Sequence, residues 1–297
     1  MHTTKDTEVI IDLQDYLIQH ILPVKYAYTL SAASFHTKYA NSQGYQATVE
    51  INKEEYGILI KHLKSGSFDY CEIGADDGAI SLQILDYLNK NDIHFGNHNF
   101  IDFSKELLEQ CQKNINKEQP HLKCSFLQCD IEQPNLKIPI DSTNNKIIFF
   151  IGNTLGNVES ENIVLQNIYN IMNENDFFLV GLTFWNDSFD ELSSYNTALF
   201  RESVLEYLRI LGINTVPQNY TLKYDHENHT VFCNYKLSSD FNYGKARFLT
   251  GDCIRCFQSR RYSLEYCENM FKSNKFNIVA KKLDKESRHA IFLLNKI

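Results

Sequence analysis

The stretch FDYCEIGADDGAISLQILDYLNK, residues 68–90, constrains the fold more than any other part of the chain. An apolar run closes at Gly74, and Ile80, Ile84, Leu85 and Leu88 then follow at helical spacing, which reads as strand, tight turn and helix. The alternation continues downstream. HNFIDFS predicts a second strand, and KELLEQCQKNINK a helix with Ser104 as its N-cap. LKCSFLQCD, KIIFFIGN and DFFLVGLTF predict three further strands, with the helix ESENIVLQNIYNIM before the last of them. Parallel strands need long crossovers, and helices supply them, so this pattern predicts an α/β fold with a parallel sheet wound on both faces. After the helix SLEYCENMFKSN come FNIVAKKLD and HAIFLLNK, two strands joined by the polar KES, which predict a terminal antiparallel hairpin.

Two segments stand outside the alternation. Residues 1–50 hold one helix and then the irregular LPVKYAYTLSAASFHTKYANSQGYQATVE. Residues 187–261 hold the helix TALFRESVLEYLRILG and the hairpin YTLKYDHENHTVFCNYKLSS, turning at DHENH. With 297 residues the chain has material for two cores, so these pieces are expected to form a smaller α+β domain, 1–50 with 187–261, beside a sheet domain of 51–186 and 262–297.

In open α/β sheets a ligand lies at the C-terminal ends of the strands, and Glu72, Gly74 and Gly78 fall at that edge. A dinucleotide fingerprint needs a second glycine for close approach to a pyrophosphate. Here Asp76 stands in its place beside Asp77, and two carboxylates repel phosphate. S-adenosylmethionine has no phosphate and carries a sulfonium and an amino group, so an acidic loop suits it better. Asp102 ends the second strand, where a carboxylate takes both ribose hydroxyls; Asp130 ends the third, suited to the adenine amino group, with Ile131 against the ring. Strand-end aspartates also serve as turn and cap residues, and each alone carries that reading equally.

Charge and composition exclude other classes. The formal net charge is −8 with no long run of like charge, which disfavours nucleic acid as a partner. No apolar stretch approaches the length of a membrane span, and MHTTKDTEVIIDLQDYLIQH lacks the basic flank and apolar heart of a signal peptide, so a cytoplasmic setting without a membrane partner is expected. The eight cysteines are then expected as free thiols. Cys253 and Cys256 form a lone C-x2-C, and the pairs His94/His98 and His226/His229 lie in turn-like sequence, so no metal site is expected.

LPVKYAY, EIGADDG, IDFS, CDIE, IGNTLGN and IRCFQSRRYS, in that order, resemble the histidine-specific methyltransferase family of ergothioneine biosynthesis. Its wider membership includes the methyltransferase part of ovothiol synthases and fungal dimethylallyltryptophan N-methyltransferases. The resemblance implies a Rossmann-like class I methyltransferase sheet, which the terminal hairpin distinguishes from the dinucleotide-binding version, and S-adenosylmethionine as cofactor. It carries the cofactor positions to Tyr45, Gly74, Asp102, Asp130 and Ile131, and the substrate positions to Tyr28, Gly152, Asn157, Tyr195 and Ser259. A family lysine after the first strand falls near Ile80, so that contact is missing. The family's imidazole-binding glutamate falls on Phe257, with Cys233 as its small companion on the preceding hairpin. A phenyl ring cannot accept the imidazole N–H, and an unmet buried polar group costs about 1–3 kcal/mol.

The resemblance therefore implies an N-methyltransferase acting on a small amino acid or related amine other than histidine, with Tyr28, Asn157 and Tyr195 as candidate catalytic residues. A monomer is favoured. Other readings remain open: a catalytically inactive S-adenosylmethionine-binding protein, a nicotinamide oxidoreductase, or a nucleic-acid methyltransferase using the basic tail. Among the residues, Gly156 and Asn157 also fit a simple turn, Tyr28 and Tyr195 core packing, and Ser259 a helix cap. Arg255, Arg260 and Arg261 fit a solvated face as well as a carboxylate site.

Overall fold

The structure, a computed structural model, describes residues 13–40, 56–63, 68–140 and 144–297. The chain divides into two compact units, one of Met1–Ala40 with Asp190–Arg260, the other of Asn41–Phe189 with Arg261–Ile297.

The second unit is built on a sheet. Its first five strands are β1 (Phe68–Ile73), β2 (Phe95–Asp102), β3 (Cys124–Gln128), β4 (Asn145–Phe150) and β5 (Phe177–Thr183), all paired in parallel. All six residues of β1 are buried, as a strand covered on both faces requires. Side chains alternate between faces. Cys71, Ile73, Ile148, Phe150, Phe178 and Val180 enter one core, while Tyr70, Ile147, Phe149 and Leu179 enter the other. His98 lies in β2, as the strand reading of HNFIDFS expects and against the turn-like reading of HFGNH, and burial pushes its imidazole down to about 4. The reason is the partner strand: β2 starts at Phe95, three residues before the apolar run that marks it in sequence.

The first unit holds the three-stranded antiparallel sheet of β6 (Tyr220–Asp225), β7 (Thr230–Lys236) and β10 (Cys253–Arg260), with β7 in the centre, and the short pair β8 (Phe241–Tyr243) and β9 (Ala246–Phe248). The chain then returns to the large sheet with β11 (Phe276–Leu283) and β12 (His289–Lys296). The seven strands run in the order β11-β12-β5-β4-β1-β2-β3, and β12 is antiparallel to both neighbours.

The helices in chain order are α1 (Leu30–Ala40), α2 (Gly57–Leu63), α3 (Ala79–Asn89), α4 (Lys105–Glu118), α5 (Thr154–Asn157), α6 (Glu161–Ile171), α7 (Ala198–Ile210) and α8 (Leu264–Ser273). Ser104 caps α4, its hydroxyl accepting from Leu107 N at 3.1 Å. Ser263 caps α8 in the same way, accepting from Tyr266 N at 3.2 Å. Helix α1 falls within sequence that reads as irregular. It packs on α7, and its buried residues are the small Ala32, Ala33 and Ala40, which leave no apolar stripe to recognise. All eight cysteines are free thiols.

Candidate active site

The chain turns sharply after β1 because Gly74 adopts φ +75° and its N–H donates to Ile101 O at 2.8 Å. Asp76 follows at φ +51°, with its N–H donated to Asp102 Oδ2 at 2.9 Å. The other oxygen, Oδ1, accepts from Ser104 N at 2.8 Å. Asp102 thus clamps the loop after β1 and the loop after β2 together. Gly78 begins α3 at φ +80°, and a β-carbon there would stand 2.9 Å from Cys111 Sγ of α4, so only glycine permits this helix pair to close.

Glu72 lies inside this edge and is 1% exposed. It accepts a hydrogen bond from Tyr70 OH at 2.7 Å, two residues back on the same face of β1. Burial pushes its carboxyl up to about 7, and the Asp102 and Asp76 carboxylates add to the rise. Tyr70 was not visible as a site residue in the sequence; the i, i+2 spacing on one strand face is the signal that marks it.

At the end of β3, Asp130 Oδ1 accepts from Glu132 N at 3.0 Å and shapes the turn. Cys129 N donates to Asp102 O at 2.8 Å, which ties this loop to the end of β2. Ile131 is partly buried against the core, and Asn167 Nδ2 donates to its carbonyl at 2.7 Å.

After β4, Gly152 takes φ +71° with no atom within 4 Å of where a β-carbon would be. Asn153 at φ +60° accepts from Thr183 N at 2.8 Å, and α5 follows, ending at Asn157. Gly156 and Asn157 therefore belong to a short helix rather than a tight turn. Asn157 Oδ1 is buried and has no hydrogen-bond partner. Buried polar atoms are rarely left in that state, and one at a ligand edge marks a place for a donor.

In the other unit, Tyr195 OH donates to Ser259 Oγ at 3.2 Å. Ser259 is thus engaged with Tyr195, while the helix-capping role belongs to Ser263. Phe257 is 5% exposed, with the Tyr195 ring 5.3 Å and the Phe200 ring 4.9 Å away. Phe257 pairs with Cys233 across β10 and β7. Cys233 leaves no open space beside it, for Tyr220 OH sits 2.9 Å from its sulfur and the residue is wholly buried. Tyr28 ends a 3-10 turn, Val24–Tyr28, with its ring edge-on to His36 at 4.6 Å. Tyr45 lies outside the described residues. Arg255 bonds to Gln258, whereas Arg261 is buried, against the expectation of a solvated basic face. Among the described residues no three His, Cys, Asp or Glu side chains are grouped to hold a metal, and no helix is long and apolar enough to cross a membrane.

The family model of histidine-specific, S-adenosylmethionine-dependent methyltransferases matches residues 14–296. The chain belongs to this family. The methyltransferase is similar in fold to the CcbJ methyltransferase of Streptomyces caelestis, at 10% identity over 83% of this chain and 96% of that one, with a TM-score of 0.51. It is similar also to the PH0226 protein of Pyrococcus horikoshii OT3, at 15% identity over 86% and 93%, TM-score 0.50. A third likeness is the glycopeptide N-methyltransferase MtfA, solved with sinefungin, at 10% identity over 83% and 87%, TM-score 0.50. No curated protein matches the methyltransferase's sequence. The sheet is that of a Rossmann-like class I methyltransferase, with the terminal hairpin formed by β11 and β12.

The methyltransferase uses S-adenosylmethionine, and the chemistry of its strand ends fits that cofactor. Glu72 and Asp102 are buried and Asp76 is partly so, and both aspartates act on the Glu72 carboxyl; an acidic edge of this kind suits a cation better than a pyrophosphate.

Proposed function

We propose that the protein is an N-methyltransferase acting on the amino group of a small aromatic amino acid or related amine other than histidine. Residue 257 carries the reading: a phenylalanine stands where the family's imidazole-binding glutamate falls, and Tyr195 and Phe200 surround it with rings. Such a wall favours an aromatic body through edge-to-face contacts, and the phenyl ring of Phe257 offers no acceptor where the glutamate would stand.

Under this reading the sheet unit holds the cofactor through Glu72, Gly74, Gly78, Asp102, Asp130 and Ile131, with Tyr45 as a further candidate. The substrate candidates are Tyr28, Phe257 and Ser259 in the other unit and Gly152 in the loop after β4, while Cys233, the strand partner of Phe257, has its sulfur taken by Tyr220. Bound S-adenosylmethionine supplies an electrophilic methyl group. The chain's part is to present a neutral amine in line with it. Tyr195, whose hydroxyl donates to Ser259, is the candidate acceptor for an amine N–H. Asn157, whose buried Oδ1 has no hydrogen-bond partner, and Tyr28 are the other candidate acceptors. Accepting from N–H leaves the nitrogen lone pair for the methyl group, and the proton lost beforehand goes to water. Positioning and exclusion of water supply most of the acceleration, with little demand for a strong base.

The test is release of S-adenosylhomocysteine from purified protein given histidine, aromatic amino acids and aromatic amines, with products weighed by mass spectrometry. Methylated aromatic amines support the reading; turnover of histidine alone overturns it. Cofactor binding without turnover across the panel points to a catalytically inactive S-adenosylmethionine-binding protein.

A further inference from the structure

Glu132 stands two residues after Asp130, in the loop that follows β3, and is 8% exposed. Its side chain reaches a different loop, where Oε2 accepts from Glu159 N at 2.7 Å. Glu159 is two residues past Asn157, whose buried Oδ1 has no hydrogen-bond partner. A backbone N–H held by a carboxylate makes a stronger bond than one held by a neutral acceptor. Capping of α6 does not account for it, because Ser160 is the N-cap of that helix and accepts from Ile163 N at 3.4 Å.

Nor does the loop that bears Glu132 need this carboxylate to hold its shape. Asn167, on α6, donates through Nδ2 to Ile131 O at 2.7 Å and to Gln133 O at 2.8 Å, and its Oδ1 accepts from Leu136 N at 3.2 Å. Asp130 Oδ1 takes the Glu132 N–H at 3.0 Å. The backbone of residues 130–136 is therefore fixed by other groups, and the Glu132 carboxylate is spent on the loop after β4. That loop is pinned near its start as well, where Asn153 Oδ1 accepts from Thr183 N at 2.8 Å. Asn157 lies between the two pins, one on β5 and one on the loop after β3.

We propose that Glu132 is a positioning residue that passes cofactor occupancy to the substrate side of the site. The inference rests on the reading of Asp130 and Ile131 as cofactor residues and of Asn157 as an acceptor for the substrate amine. S-adenosylmethionine seated on Asp130 and Ile131 quiets the loop after β3. Through Glu132 the same ordering reaches Glu159 and steadies Asn157, two residues away. An amine arriving next meets a loop whose ordering has already been met, so the two ligands bind with positive cooperativity.

The experiment measures amide hydrogen exchange across residues 152–159 of the full chain with and without saturating S-adenosylhomocysteine, in the natural protein, Glu132→Ala and Glu132→Gln. Loss of a charge-assisted bond predicts that the ligand slows exchange there by about tenfold or more in the natural protein and leaves it unchanged in Glu132→Ala. Glu132→Gln keeps an acceptor and is expected to restore part of the slowing. Calorimetric affinity for S-adenosylhomocysteine is expected to stay close to natural in both variants, because Asn167 still holds the cofactor loop. A merely structural role would lower that affinity together with the exchange effect, and this outcome overturns the inference. Exchange that ignores the ligand in the natural protein, or slowing that survives in Glu132→Ala, also overturns it and leaves the aromatic-amine reading standing. Slowing that depends on Glu132, with no turnover of any aromatic amine, supports the coupling and overturns the aromatic-amine reading. If Glu132→Ala does not fold, Glu132→Asp decides: its carboxylate is one methylene short of Glu159 N, and slowing equal to the natural protein's overturns the inference.

Discussion

Replacing Glu72 by glutamine isolates the electrostatics of the cofactor edge. The Glu72 carboxyl rises from 4.5 to about 7, first because it is buried and then because Asp102 and Asp76 lie near it. At about 1.4 kcal/mol per pH unit, ionising it in the folded protein costs about 3 kcal/mol more than in the unfolded chain. The folded state holds this proton more tightly, so the associated stability is fully present below pH 4.5 and is lost as pH rises through about 7. Glutamine fills the same volume, retains a hydrogen-bonding partner for Tyr70 and does not titrate. Other acids titrate alike in both proteins, so the difference between them reports Glu72 alone. Urea unfolding without cofactor, at several values from pH 5 to 8, is expected to show the natural protein losing about 2–3 kcal/mol relative to Glu72→Gln across that range. Saturating S-adenosylmethionine, which brings cationic groups to the ionised carboxylate, is expected to flatten the difference. Parallel pH profiles for the two proteins would refute the assignment of a buried, proton-retaining carboxyl.

Asp102→Ala is expected to weaken S-adenosylmethionine binding severely by calorimetry, because it removes a candidate ribose acceptor and frees the N–H groups of Asp76 and Ser104; unchanged affinity would sink the proposed cofactor site. Gly78→Ala forces a left-handed φ and a β-carbon against Cys111 Sγ, so a loss of about 2–4 kcal/mol is expected in denaturant unfolding, and a fully stable variant contradicts the geometry. Asn157→Ala deletes a buried oxygen without a partner, so stability is expected to hold while kcat/KM falls by about tenfold or more; an equal loss of stability would make the residue structural.

The strand-turn-helix alternation and the terminal hairpin were legible because each strand is short, apolar and bounded by polar turns, and each helix carries an apolar stripe. Helix α1 was not, since its buried residues are alanines that leave no apolar stripe. Strand β10 was not, since a bulge between Arg255 and Phe257 breaks its alternation. The start of β2 was not, since residues 95–97 precede the recognisable run and are placed by pairing with β1.

At the site, sequence determined which residue types stand at the strand ends: Glu72, Asp102 and Asp130 each follow an apolar run, and an acid at that place is a local property of the chain. Tertiary structure decided what those groups do. The rise of Glu72 comes from burial and from carboxylates brought by the next loop and the next strand, and both oxygens of Asp102 are taken by backbone N–H groups. Phe257 is a single letter in sequence and a ring cluster with Tyr195 and Phe200 in space.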